Sequence, residues 1–184
     1  MNEPAQIWQT KTGIDQEQFD LFSRYASLSD NDIDGRNRAR ALGYKQERLR
    51  VKPGAIINLS PRGSIGNDCL IGLYAYVNGD VIIEDMTLVG PYCSLTSNTH
   101  LFDTETRSFT RKNIGAPIRV GRGSWLASGV TITAGVTVGK GNLICANAVV
   151  TKDTEDFCIY GGTPAKKLGR IDLDSGALIW EKHP

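Results

Sequence analysis

A six-residue period constrains this chain more than any other feature. From Ile65 every sixth residue is aliphatic through Ile71, Val77, Ile83, Val89 and Leu95. After a gap the series resumes at Val120 and runs through Leu126, Ile132, Val138, Ile144 and Val150. The residue four places after each is mostly small: Cys69, Ala75, Val81, Thr87, Cys93 and Thr99, then Ser124, Val130, Val136, Asn142, Ala148 and Thr154. The residue directly after it is often glycine (Gly66, Gly72, Gly90, Gly121, Gly139), which can take a positive φ or let backbones approach closely, and so marks corners. A period of six fits neither a lone amphipathic helix nor a simple alternating strand. It fits short strands joined by tight corners, three to a triangular coil, with coils stacked about 4.8 Å apart and the aliphatic residues piled inside.

The expected architecture is therefore mainly β: a parallel β-helix over residues 51–160, an N-terminal helical cap over 1–50, and a closing turn and tail over 161–184. Val51 and Ile57 continue the period upstream, with Pro61-Arg62-Gly63-Ser64 inserting an offset of two. Phe19, Phe22, Tyr25 and Leu28 share a helical face, and Asp30 to Asp34 is a polar break. These features predict short helices over 16–28 and 35–42, covering the open end of the solenoid or folding over a pocket on its side. Between His100 and Val120 the period vanishes, which predicts an extruded loop over 101–117. Insertions in a solenoid gather on one side and often form its binding face.

Charge and cysteine usage exclude several classes. Twenty-one basic and twenty acidic residues leave no global field to draw in nucleic acid or an anionic membrane. Residues 1–10 have neither the basic nor the apolar region of a secretory signal, and no later apolar run is long enough for a bilayer, so a cytoplasmic protein without membrane insertion is expected. Cys69, Cys93, Cys145 and Cys158 have no Cys-x-x-Cys spacing and lie in apolar-patterned segments, as reduced, packed thiols do.

On this periodicity the chain resembles the hexapeptide-repeat acyltransferases, over roughly residues 50 to 171. The resemblance implies that the β-helix is left-handed and that the protein is a homotrimer. The segment Thr99-His100-Leu101-Phe102-Asp103, with Gly115-Ala116-Pro117-Ile118 and Gly123-Ser124-Trp125-Leu126 after it, is similar to galactoside and maltose O-acetyltransferases. There a Thr/Gly-His-Pro loop precedes Gly-x-Pro and Val-Trp-Ile-Gly; here Leu101 stands for the proline and Ser124 for the valine. The match implies acetyl-CoA as co-substrate, no metal, and His100 as the catalytic base. An imidazole with a pKa near about 6.5 is partly free base at neutral pH and can take a hydroxyl proton as the oxygen attacks a thioester. No Cys or Ser pairs recognisably with the histidine, so direct transfer is expected over an acyl-enzyme.

The same resemblance assigns the rest of the site. Trp125, Ala127, Ser128, Ala146, Thr151 and Lys152 match positions lining the coenzyme groove between subunits. The run from Tyr160 through Gly161-Gly162-Thr163-Pro164-Ala165 to Arg170 resembles the family's closing turn and places Lys166 and Arg170 to meet coenzyme phosphates. Without the family these two, like Lys167, read as solvated charges. Asn78, Asp80, Glu84 and Asp85 precede His100 by about one coil, near the family's acceptor-contacting Asn-x-Asn segment, and are candidates for a sugar-type acceptor or solvated polar positions. Asp103 either binds sugar or orders the loop.

Three other functions compete for the same features. A γ-type carbonic anhydrase needs three zinc-binding histidines, and this chain has only His100 and His183. N-acetylation of an amino sugar or nucleotide sugar is the neighbour reaction, which sequence does not separate from O-acetylation. A non-enzymatic binding solenoid calls for neither a loop histidine nor a basic terminal turn beside a small-residue groove.

Overall fold

In a computed structural model describing residues 13–181, the aliphatic period folds as a parallel β-solenoid with three sheets for faces. Residues 1–10, read above for a signal, and His183 lie outside the described residues. The first face stacks Arg50–Val51, Leu70–Ile71, Leu88–Val89, Trp125–Leu126, Leu143–Ile144 and Cys158–Gly161. The second stacks Ile56–Leu59, Tyr76–Gly79, Ser94–Thr96, Thr131–Ile132 and Val149–Val150, and the third Ser64–Ile65, Val81–Ile83, Ile118–Val120 and Thr137–Val138. Away from the hairpin, partners in most successive coils are eighteen residues apart, as in Leu70 with Leu88 and Val77 with Leu95, and the last step, Leu143 with Ile159, is sixteen. In the first coil the step is twenty, Val51 with Ile71 and Ile57 with Val77, the offset expected at Pro61-Arg62-Gly63-Ser64. Backbone groups are satisfied between coils: Leu70 N donates to Thr87 O at 3.0 Å and Gly72 N to Val89 O at 2.8 Å.

All twelve periodic aliphatic residues are buried, and ten of the twelve residues four places on are buried beside them; Thr99 and Thr154 are the exceptions. The polar members of this inner column satisfy one another. Ser124 Oγ donates to Gly139 O at 2.7 Å and accepts from Asn142 N at 3.1 Å, while Asn142 donates to Thr154 Oγ1 at 2.6 Å and accepts from Cys158 N at 2.8 Å. Cys69, Cys93 and Cys158 are buried thiols, and burial pushes the first two up from the ordinary thiol range.

The structure chooses between the two reasons for glycine at the corners. Left-handed backbone falls three residues after the aliphatic position, at Asp68, Tyr74, Met86, Tyr92 and Asn147 among others, and not at the glycines that follow it directly. Those glycines serve close approach. A Cβ on Gly121 would come within 2.7 Å of the carbonyl carbon of Gly139, and one on Gly139 within 2.6 Å of Glu155 O.

Two helices precede the coils. Helix α1 (Gln16–Leu28) starts with a capping box between Asp15 and Gln18; α2 (Asp32–Ala41) starts three residues before the expected boundary because Asn31 caps it. Only α2 covers the first coil, burying Ala39 with Leu49 and Val51. Helix α1 is tethered mainly through Arg38, whose guanidinium donates to Val51 O, to Ser29 O at 2.8 Å and to the Tyr25 hydroxyl at 2.8 Å. Its apolar face, Leu21, Phe22, Tyr25 and Leu28, stays exposed. At the other end, Lys166–Ile171 reverses to pair antiparallel with Cys158–Gly161, and Leu178–Trp180 pairs with it in turn. Among the described residues, no helix is long and apolar enough to cross a membrane and no cluster of His, Cys, Asp and Glu could hold a metal.

Candidate functional site

The solenoid continues undisturbed beneath the break in the period. Ile83 pairs with Val120, Val89 with Leu126 and Leu95 with Ile132, so the extra residues leave the ladder unchanged. They form the extruded segment expected over 101–117, built as a β-hairpin with Asn98–Asp103 against Ser108–Gly115. Asp103 orders its turn: Oδ1 accepts from Glu105 N at 2.8 Å and Thr106 N at 3.3 Å, and these donors hold the carboxyl below the usual range. Phe102 and Phe109 meet edge to face across the strands at 5.3 Å. His100 lies near the root, opposite Asn113, and is exposed.

The coil below grips both legs of the hairpin. Asp80 N donates to the buried Ser97 Oγ at 2.7 Å, and Asp80 O accepts from Ile118 N at 2.9 Å, where the chain re-enters the solenoid. Gly79, with φ 88°, leaves room for that serine, since a Cβ there would sit 2.3 Å from Ser97 Oγ. Asn78 lies beside Thr96 and accepts from Asn58 Nδ2 at 2.9 Å. The Asp80 carboxylate accepts from Ser60 Oγ and from the Arg62 guanidinium. Asn78, Asp80 and His100 therefore share one corner. Thr151 and Lys152, exposed, stand on the same corner two coils farther on, just past the Ile132–Val150 pair.

The other candidates lie elsewhere. Asp85 is on the next corner, where it accepts from Asn67 N at 2.7 Å and pairs with Arg122 at 3.6 Å. Beside it Glu84 accepts from Arg122 N at 3.0 Å and Arg119 at 2.6 Å, and these partners hold its carboxyl below the usual range. Ala127, Ser128 and Ala146 form the third corner, where Asn147 N donates to Ser128 O at 2.9 Å. Trp125 is on the first face in register with Leu88 and Leu143, half exposed. Lys166 and Arg170 lie on the closing strand, beside Gly161 and Cys158, with Arg170 3.9 Å from Asp172. Lys167 pairs with Glu155 at 2.8 Å, which raises its pKa.

The second face thus separates the His100 corner from the corner of Ala127, Ser128 and Ala146. The residues expected on the acceptor side and those expected along the donor groove therefore lie on different corners of the one chain. Sequence reasoning passed over Ser60 and Arg62, which hold Asp80, and over Arg119 and Arg122, which take up the Glu84 carboxylate that the sequence offered to an acceptor. The signal was present in the spacing, since Ser60 and Asp80 differ by the twenty-residue step of the first coil.

No protein-family model matches the chain. It is 32% identical over 127 residues to nodulation protein L of Rhizobium meliloti, covering 65% of this chain and 69% of that one. The chain spans less than half the length of other curated relatives it matches. Among them is a chloramphenicol acetyltransferase of Agrobacterium fabrum, 46% identical over 63 residues, 34% of this chain and 30% of that one. Among solved structures it is similar to a maltose O-acetyltransferase from Clostridium difficile 630, with a TM-score of 0.58 and 21% identity over 85% of this chain and 86% of that one.

Proposed function

The chain belongs to the hexapeptide-repeat acyltransferases, and from that membership we propose that it transfers acetyl from acetyl-CoA to a hydroxyl of a sugar or glycoside, with His100 as general base. The observation that carries the reading is the root of the hairpin. The longest insertion into the coil series carries an exposed histidine at the corner that also carries Asn78 and Asp80, residue types that read sugar hydroxyls. His100 takes the hydroxyl proton as the oxygen attacks the thioester carbonyl, the C–S bond breaks, and CoA leaves as the thiol after accepting a proton.

The donor groove in this reading runs along Trp125, Ala127, Ser128 and Ala146, with Lys166 and Arg170 toward the coenzyme phosphates. Thr151 and Lys152 stand on the His100 side of the same groove. Because these two sides sit on different corners of one solenoid, the working unit is a ring of copies in which the first face of one meets the second face of the next. A closed head-to-tail ring of three satisfies this. Asp85, on another corner, and Asp103, in the hairpin turn, are held by backbone donors and take no part in this reading.

The test is CoA release from acetyl-CoA against sugars, glycosides and amino sugars, with wild type compared to His100→Ala at unchanged oligomeric state. Turnover on a hydroxyl acceptor that falls by about 10²–10⁴ in the variant supports the reading. Wild-type turnover in the variant removes His100 as base, and turnover confined to amino sugars moves the reaction to nitrogen.

A further inference from the structure

Asn98, at the foot of the hairpin, carries a carboxamide with no hydrogen-bond partner among the described residues. The ladder there is regular, with Gly115 opposite Asn98, Ile114 opposite Thr99 and Asn113 opposite His100. Asn98 and His100 therefore project from the same face of one strand, roughly 6–7 Å apart along it. The carboxamide lies between two glycines, Gly115 across the ladder and Gly79 in the coil below. A Cβ on Gly115 would come within 2.9 Å of Asn98 Oδ1, and one on Gly79 within 3.0 Å of Nδ2. Gly79 is left-handed and favours glycine on that ground alone. Gly115 is not left-handed, so its missing side chain serves to leave room for the amide.

The other polar side chains of this corner are already engaged. Asn78 accepts from Asn58, and the Asp80 carboxylate accepts from Ser60 and Arg62. Ser97, one residue back, is buried and accepts from Asp80 N. Asn98 is only partly buried, and its amide atoms stay open to solvent. The hairpin is paired at this position through the backbone, so the Asn98 side chain contributes no hydrogen bond to the fold. What it offers is a free donor and a free acceptor beside the imidazole.

We propose that Asn98 is a second acceptor contact: while one hydroxyl of the sugar meets His100, another hydroxyl of the same ring bonds to the Asn98 carboxamide. This rests on the acetyltransferase reading and narrows its acceptor to one that carries two hydroxyls within the span of a single ring. A carboxamide suits the task, because a hydroxyl is both donor and acceptor and can give its proton to Oδ1 or accept one from Nδ2. The amide is also too weak a base to compete for the proton that His100 removes.

The experiment is a deoxy scan. Acetyl transfer by the full chain is measured on methyl galactoside, glucoside and N-acetylglucosaminide, and the acetylated carbon is located by NMR. Monodeoxy forms of the best acceptor are then compared in wild type and Asn98→Ala. In wild type, removal of one hydroxyl other than the acetylated one is expected to cost about 10–100-fold in kcat/KM. Asn98→Ala is expected to lose a similar factor on the parent glycoside and to be indifferent to removal of that hydroxyl, with CoA affinity and melting temperature unchanged. Gly115→Ala, whose methyl displaces Oδ1, is expected to show the same indifference. Wild-type kcat/KM in Asn98→Ala, or a deoxy penalty kept in full by either variant, overturns the contact. A melting temperature that falls together with activity in Asn98→Ala also overturns it, since the side chain then serves the fold. CoA bound normally with no transfer to any glycoside overturns the two-hydroxyl acceptor, whereas failure of CoA to bind overturns the acetyltransferase reading beneath it.

Discussion

At the scale of single residues, the interior of the solenoid depends on a few polar groups that have no water to fall back on. Ser124 both donates to Gly139 O and accepts from Asn142 N while fully buried. Ser124→Ala should destabilise the chain by about 1–3 kcal/mol, because the Asn142 amide loses its acceptor without gaining solvent; urea denaturation measures it. Glu84 carries a pH-dependent share of stability. Its folded pKa lies below the ordinary carboxyl value, so the contribution is complete at neutral pH and is lost as pH falls through that depressed pKa. Melting temperatures of wild type and Glu84→Gln should therefore differ most near pH 7 and converge in acid, below the ordinary glutamate range of about 4.3. Neither residue's role was fully legible beforehand. The sequence placed Ser124 in the small inner column, but not the backbone amide it must satisfy, and it offered Glu84 as an acceptor contact or a solvated position, without the arginines that arrive from the next coil.

At the scale of elements, the strands were legible because a six-residue period admits one stacking. The hairpin was not, because its alternation is spoiled between Phe109 and Asn113, where the register shifts and Thr110 bonds back to Leu101 O at 3.1 Å. Helix α1 was expected from its apolar face, and the helix is there. Among the described residues Leu21, Phe22, Tyr25 and Leu28 of that helix stay exposed, because α2, anchored by Asn31 and Arg38, occupies the end of the first coil. Which corner each site residue occupies was readable in principle. Ser128 and Ala146 differ by one coil's eighteen residues and share a corner, whereas Thr151 falls about one strand beyond and lands on another. Replacing residues 99–115 by a tight turn should remove acetyl transfer to at least the His100→Ala level while leaving CoA affinity intact, because the pairs from Ile83–Val120 to Leu95–Ile132 do not involve the hairpin. Parallel kinetic and calorimetric measurements check both halves of that expectation.

At the scale of the whole molecule, the first face presents Leu70, Leu88, Trp125 and Leu143 in one aligned row. A row of this kind on a flat parallel sheet suits contact with another copy better than contact with water. Leu88→Arg should give monomers by light scattering. Those monomers should lack transfer activity although every site residue of the chain is still present, since the two halves of the site lie on different corners.

The step of eighteen residues has a further consequence for how such a chain can change. Adding a segment at a corner, as the hairpin does, leaves the phase of every later strand intact. Adding a whole coil lengthens the prism and also keeps phase. A six-residue insertion within the coils advances everything downstream by one face, so that Trp125 would move from the first face to the second while still sitting in a well-formed strand. The fold would survive with its chemistry facing the wrong way. Natural or engineered variation in this chain is therefore expected to tolerate loops of any length but to count its coils in units of eighteen.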